Sequence, residues 1–153
     1  RQMIAAMNVL GVDYMTFGNH EFDLTEPDLI ARMNESRFTW ISSNVFVPNT
    51  NRSFASSVPY KVLEVESVRI LIFGLTIYQN KNYIRIIDLP ELIPFVKQFI
   101  QSLSGVKYDV LIGLTHLPID VDRQILESVP EIDLIIGGHE HEDFYLFRGV
   151  HYA

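Results

Sequence analysis

Three strand-like apolar runs separated by helical periodicity constrain this chain more than any other feature. Val68–Leu75 contains the unbroken run Ile70-Leu71-Ile72-Phe73, Asp109–Leu114 is a second such run, and Ile132–Ile136, with Asp133 inside it, reads as a third strand. Continuous apolar runs of this length suit strands buried in a sheet. Between the first two, Leu92, Phe95, Val96, Phe99, Ile100 and Leu103 recur at the spacing of one helix face. Asp120–Val129 fits a short helix between the second and third. Strands alternating with helices predict an α/β fold. No internal repeat or low-complexity segment interrupts the pattern.

The amino-terminal third reads the same way. Met3, Ala6, Met7 and Leu10 share a helix face, and Gly11 follows as a C′ residue. Tyr14–Phe17 is the first predicted strand. Thr25 offers an N-cap, with Pro27 in the first turn and Asp28 three residues on, for a helix running to about Asn34. Phe38–Ile41 is a second short strand. Ser42–Val58, rich in Ser, Asn and Pro and without period, is expected to be a long surface loop with Asn44 at its edge. Tyr60–Val65 and Val68–Leu75 form a hairpin around Glu66-Ser67. Pro94 is placed in the first turn of its helix, where a missing N–H matters little. Phe144–Phe147 and Val150–Ala153 flank Arg148-Gly149 as a second hairpin. The chain begins inside a helical pattern and stops inside a strand pattern, so we expect an internal segment of a longer protein.

Composition removes several functions. Of 153 residues 48% are hydrophobic, enough for a sizeable core, and the length fits one domain or part of one. The formal net charge is −7 and the 12 Lys and Arg are scattered, which disfavours a nucleic-acid polymer as partner. With no Cys, disulfides, thiolate metal sites and Cys nucleophiles are excluded. No apolar run in this segment approaches the ~20 residues that span a bilayer.

The chemistry sits in the loops. Of five histidines, four (His20, His116, His139 and His141) directly follow predicted strands, in three separate loops. A sheet of βα units brings such loops to one edge. The expected cluster is Asn19, His20, His116, His139 and His141, with Asp23 behind His20 to orient its ring. Imidazole nitrogens with a carboxamide oxygen suit Zn, Mn, Fe or Ni rather than Ca. Alternate residues of an extended strand point to opposite faces, so His139 and His141 reach one ion only if the loop bends, or else serve two ions. Gly137-Gly138 would permit that bend through positive φ.

The strings Gly18-Asn19-His20-Glu21-Phe22-Asp23, Gly113-Leu114-Thr115-His116 and Gly137-Gly138-His139-Glu140-His141, in this order, resemble the calcineurin-like metallophosphoesterases. Leu10-Gly11-Val12-Asp13 through Asp23 resembles the 5′-nucleotidase branch, which includes UDP-sugar hydrolases and 2′,3′-cyclic-nucleotide phosphodiesterases. The likeness covers nearly the whole chain. It implies a four-layer α/β/β/α sandwich, incomplete at both ends, of which residues 1–153 form part of one catalytic domain. It implies two divalent metal ions, Asn19, His116 and His139 ligating one and His141 the other. His20 would contact the phosphate and assist the leaving group, with Asp23 fixing its tautomer. Two cations ~3.5–4 Å apart clamp the attacking and leaving oxygens and bring a bound water's pKa towards ~7, so the implied reaction is attack of a metal-held hydroxide on phosphorus.

The family's Asp-x-His motif and bridging Asp would lie upstream of Arg1, so the isolated segment is expected to be inactive. His141 stands where many members of the nucleotidase branch carry an amide. The leading expectation is a 5′-nucleotidase-like hydrolase, exported to the periplasm or cell surface as the family suggests. Cyclic- or sugar-nucleotide phosphodiesterase, thiosulfate-ester hydrolase, structural metal protein and non-catalytic scaffold are the alternatives. The His20–Asp23 pair separates an enzyme from a structural site, which needs closed ligation and no acid poised beside it.

Overall fold

The computed structural model describes residues 2–146. The predicted hairpin around Arg148-Gly149 falls outside the described residues, apart from Phe144, Tyr145 and Leu146, which form no strand. In chain order the elements are α1 (Gln2–Leu10), β1 (Tyr14–Met15), a 3-10 helix (Asn19–Asp23), α2 (Glu26–Glu35), β2 (Thr39–Trp40), β3 (Val45–Phe46), β4 (Tyr60–Val65), β5 (Val68–Thr76), β6 (Arg85–Ile86), α3 (Leu89–Ser102), β7 (Val110–His116), α4 (Ile119–Ser128) and β8 (Leu134–Gly137).

The three apolar runs become β5, β7 and β8 of a four-stranded sheet of order β4-β5-β7-β8, with β5 and β7 at its centre and β8 at one end, where Leu134 and Ile136 are exposed. β5, β7 and β8 are parallel, and β4 closes a hairpin on β5 with Val65 opposite Val68. Leu71, Phe73, Leu75 and Leu111 from the sheet pack with Leu92, Val96 and Ile100 of α3 and Ile125 of α4. A second core gathers Phe17, Phe22, Leu29, Met33, Trp40 and Phe54 around the parallel pair β1-β2, with α1 and α2 beside it. Phe17 stacks on Trp40 with centroids 4.9 Å apart, and Phe22 lies 5.4 Å from Phe17. The layers run helix, sheet, sheet, helix.

The sheets meet where Gly74 of β5 faces Ile41. A Cβ on Gly74 would fall inside contact distance of the Ile41 carbonyl oxygen and 2.9 Å from Thr16 Oγ1. Ser43 N–H donates to Gly74 O at 2.7 Å across the same seam.

Local signals held where they were chemical. Gly11 closes α1 with φ 74°, the left-handed conformation glycine takes without strain. Thr25 caps α2, its hydroxyl accepting from Asp28 N–H at 3.4 Å. Three expectations were overturned. The stretch 42–58 is not a surface loop throughout: Ser42, Ser43, Asn44, Val45 and Phe54 are buried and β3 pairs with β6 from further along the chain, while Asn49, Asn51, Arg52, Ala55 and Ser56 stay exposed. Asn44 does not stand at a loop edge but is fully buried. Its Nδ2 donates to Thr76 O at 2.8 Å and its Oδ1 accepts from Thr76 N–H at 3.0 Å, satisfying the backbone at the end of β5. Polar residues enter a core when they complete such pairing, which composition does not reveal. Pro94 lies in the second turn of α3, because the helix starts earlier, at Leu89. There Asp88 accepts from Leu89 N–H at 2.7 Å and Pro90 occupies the first turn.

Candidate active site

The loops after β1, β7 and β8 come together as the histidine pattern predicts. His116 is the centre. It is the last residue of β7 rather than the first of a loop, since the pairing of β5 and β7 continues to Thr76–His116. Its Nε2 lies 2.9 Å from Asn19 Oδ1 and 3.4 Å from His139 Nδ1. The His116 and His139 rings meet edge to face, centroids 5.1 Å apart. Asn19 Oδ1 and His139 Nδ1 thus both lie within reach of His116 Nε2, which can hold at most one proton. A cation there would satisfy all three, and one carboxamide oxygen with two imidazole nitrogens is a donor set that divalent transition metals accept. Among the described residues no three His, Cys, Asp or Glu side chains come close enough to hold an ion, so the convergent trio depends on Asn19.

Burial, then the charges that His139, His20 and His141 carry, push the His116 pKa down from its ordinary value. Its neutral form, the one that ligates, is therefore favoured. The ring is clasped by two glycines. A Cβ on Gly18 would stand 3.0 Å from His116 Cε1, and one on Gly138 3.4 Å from its Nδ1. This corrects the role given to Gly137-Gly138. Neither takes positive φ; His139 (φ 91°) and His141 (φ 58°) make the bend themselves. Gly137 serves for room, not for rotation, since a Cβ on it would approach Asp122 Oδ2 to 2.8 Å, whereas one on Gly138 would make ordinary contact. Non-glycine residues held at positive φ store strain of about 1–3 kcal/mol, which clusters at functional sites.

His20 stands apart from the trio. Its Nδ1 lies 2.8 Å from Asp23 Oδ2, and the two side chains are 79% and 65% exposed. The pair leaves Nε2 of His20 directed away from Asp23 and free to meet a ligand. The turn that carries it is tied inward by Phe22, fully buried, and by Gly18 N–H donating to Glu21 Oε2 at 2.6 Å. His141 is exposed and borders, with His139, Glu140 and Asp122, a cavity of about 380 Å³. Its charge is the last of those that lower the His116 pKa, and among the described residues no hydrogen bond joins it to Asn19, His116 or His139.

Two residues that sequence reasoning passed over support these loops. Glu140 accepts from Ile119 N–H at 2.8 Å, tying the β8 loop to the first turn of α4. Asp122, 4% exposed, accepts from Thr115 Oγ1 at 2.9 Å and lies against Gly137, where a Cβ would approach its Oδ2 to 2.8 Å. An acidic residue in a helix's first turn is ordinary dipole chemistry, so nothing in the sequence singles Asp122 out. Burial pushes its pKa up to about 7, only partly offset by the Thr115 hydrogen bond, and the Glu140 charge adds to the rise.

A raised acid has a definite consequence. Below pH ~4 both folded and unfolded chains hold the proton. Between ~4 and ~7 the unfolded chain releases it first, so stability falls as pH rises through that window. Asp122→Asn, which can still accept from Thr115, should therefore be the more stable protein at pH 8, by on the order of 2–4 kcal/mol in metal-free samples. The gap should close by pH 4. Urea midpoints at the two pH values check this, and a gap independent of pH would refute it.

A layered α/β protein with an Asn/His cluster and an exposed His–Asp pair at the carboxyl ends of its strands belongs to a recognisable class of hydrolytic site. The chain is a member of the calcineurin-like phosphoesterase family, whose pattern matches residues 2–143. It is 31% identical over 150 residues to the metallophosphoesterase YunD of Bacillus subtilis, covering 94% of this chain and 32% of that protein. It is 30% identical over 145 residues to a 5′-nucleotidase of Bos taurus, covering 91% of this chain and 25% of that one. The solved 5′-nucleotidase precursor of Thermus thermophilus superposes with TM-score 0.77 at 26% identity, over 91% of this chain and 28% of the other. The chain thus spans about a third or less of each of these relatives. Among the described residues no helix is long and apolar enough to cross a membrane.

Proposed function

We propose that the whole protein hydrolyses a phosphoester of a nucleotide, releasing phosphate, as a 5′-nucleotidase-like enzyme. The observation that carries the reading is the convergence of Asn19 Oδ1, His116 Nε2 and His139 Nδ1 in the same loop cluster as the His20–Asp23 pair. Relatives called 5′-nucleotidases support the substrate class. Residues 1–153 form part of one catalytic domain. Asn19, His116 and His139 would hold one divalent metal ion, and His141 would contribute to a second. The ions would supply Lewis-acid activation of water and neutralise charge on the phosphoryl group.

The chain's own residues do the rest. In hydrolysis a water oxygen forms a new bond to phosphorus, the ester P–O bond breaks, and the leaving oxygen needs a proton. Asp23, bonded to His20 Nδ1, orients the ring so that Nε2 faces the phosphoryl group. There the ring stabilises charge growing on the phosphate and hands a proton to the leaving oxygen. The clasp of Gly18 and Gly138 holds His116 in place as the group shared by Asn19 and His139.

The test is elemental analysis of the whole protein, with phosphate release from 5′-nucleotides measured on the same sample. Two equivalents of transition metal per chain and metal-dependent release are expected. One equivalent or none in a folded sample would overturn the binuclear reading and favour a non-catalytic scaffold. Release from cyclic or sugar nucleotides in preference to 5′-nucleotides would move the substrate to the phosphodiesterase side. The 153 residues by themselves are expected to turn over little, since they contain no Asp-x-His triplet of the kind the family resemblance calls for.

A further inference from the structure

The exposed His20–Asp23 pair raises a physical question. A proton-transfer group must be held to within about 0.5 Å of its working position. Yet both side chains are mostly in solvent, and the pair sits on one short 3-10 helix, Asn19–Asp23, a form with weak hydrogen-bond geometry. The closing backbone bond of that helix, Leu24 N–H to Glu21 O, is long at 3.4 Å.

The stiffness comes from elsewhere in the chain. Tyr83, in the connection between β5 and β6, directs its hydroxyl at the carbonyls on either side of Asp23. Its Oη donates to Leu24 O at 2.9 Å and lies 3.4 Å from Phe22 O. The Tyr83 ring packs on Phe54, centroids 5.9 Å apart, and Phe54 packs on Phe17 at 6.3 Å. The hydroxyl is therefore anchored in the core that also holds Phe22. We propose that Tyr83 is a positioning residue, setting the backbone around Asp23 and through it the His20 ring. The inference rests on the catalytic reading of His20.

The surroundings suit a permanent donor. Burial, then the Glu26 and Asp23 carboxylates, push the Tyr83 pKa above its ordinary value, so the hydroxyl keeps its proton across the working range. Tyr83 borders a shallow depression with Thr25, Glu26 and Asn82. Its ring is engaged with Phe54 and its hydroxyl with the backbone, which is the arrangement of a brace.

The test is Tyr83→Phe, which keeps the ring and removes only the hydroxyl. In the whole protein kcat should fall roughly 5- to 30-fold, with KM and metal content unchanged. Combined with His20→Asn, the change should have no further effect, because residues acting through one another are not additive. A purely structural brace would lower activity equally in both backgrounds, and that result, or an unchanged kcat, overturns the proposal. A second readout is independent of turnover. In the nitrogen NMR spectrum, the His20 Nδ1 signal that reports the bond to Asp23 should broaden or shift in Tyr83→Phe, while His116 signals stay in place. An unmoved His20 signal also overturns it. If the parent hydrolyses no phosphoester, the functional reading fails, and the NMR result alone decides the positioning.

Discussion

Changing His20 to asparagine is expected to lower turnover in the whole protein by about 10²–10⁴ while leaving its metal content unchanged. Asparagine is similar in size and can still donate a hydrogen bond, but it cannot pass a proton to a leaving oxygen. The separation of roles is structural. His20 makes its hydrogen bond to Asp23 and none to Asn19, His116 or His139, the three groups whose atoms converge. Because the side chain is mostly exposed, the change should not disturb the fold. The check is kcat together with elemental analysis of the same samples. Loss of metal along with activity would place His20 among the ligands and remove the acid from the scheme.

Gly74→Ala should have the largest effect on stability, at least about 3 kcal/mol, the upper end of what overpacking a core produces. The added carbon would meet the Ile41 backbone, with the Ile41 carbonyl carbon 2.7 Å away, and backbone cannot swing aside as a side chain can. The sheets would have to separate at the seam, straining the Ser43 to Gly74 hydrogen bond and the Asn44 clamp on Thr76 beside it. Gly105→Ala is the control, since a Cβ there has nothing within 4 Å and φ is not in the left-handed region. Urea midpoints for both variants decide the matter. A Gly74→Ala protein as stable as its parent would mean that the sheets do not approach as described.

Much of the fold was legible because burial leaves a periodic trace. The runs at Ile70–Phe73, Asp109–Leu114 and Ile132–Ile136 became β5, β7 and β8 with small shifts at their ends. Ser42–Val58 was misread because polar composition there signals solvent only if the polar groups lack partners. Ser43 finds its partners in Pro59 and Gly74, and Asn44 in Thr76 of β5. The site was half legible. Asn19, His116 and His139 meet as expected, and His20 pairs with Asp23. Asp122 and Tyr83 left no mark, since an acid in a first helical turn and a tyrosine in a loop are commonplace.

What the sequence by itself determined is the α/β alternation and the placing of a histidine or asparagine at the end of three strands. Both are properties of short windows, where side-chain period and neighbouring glycines carry the information. Only the tertiary structure decided which of those groups touch. Contact between residues 19, 116 and 139 depends on how two sheets seat against each other at Gly74. It also depends on how much room Gly18 leaves around one imidazole. It likewise decided that the bend at His139 and His141 is made by the histidines and not by the glycines before them. Those are distances between atoms far apart along the chain, and a local pattern does not encode them.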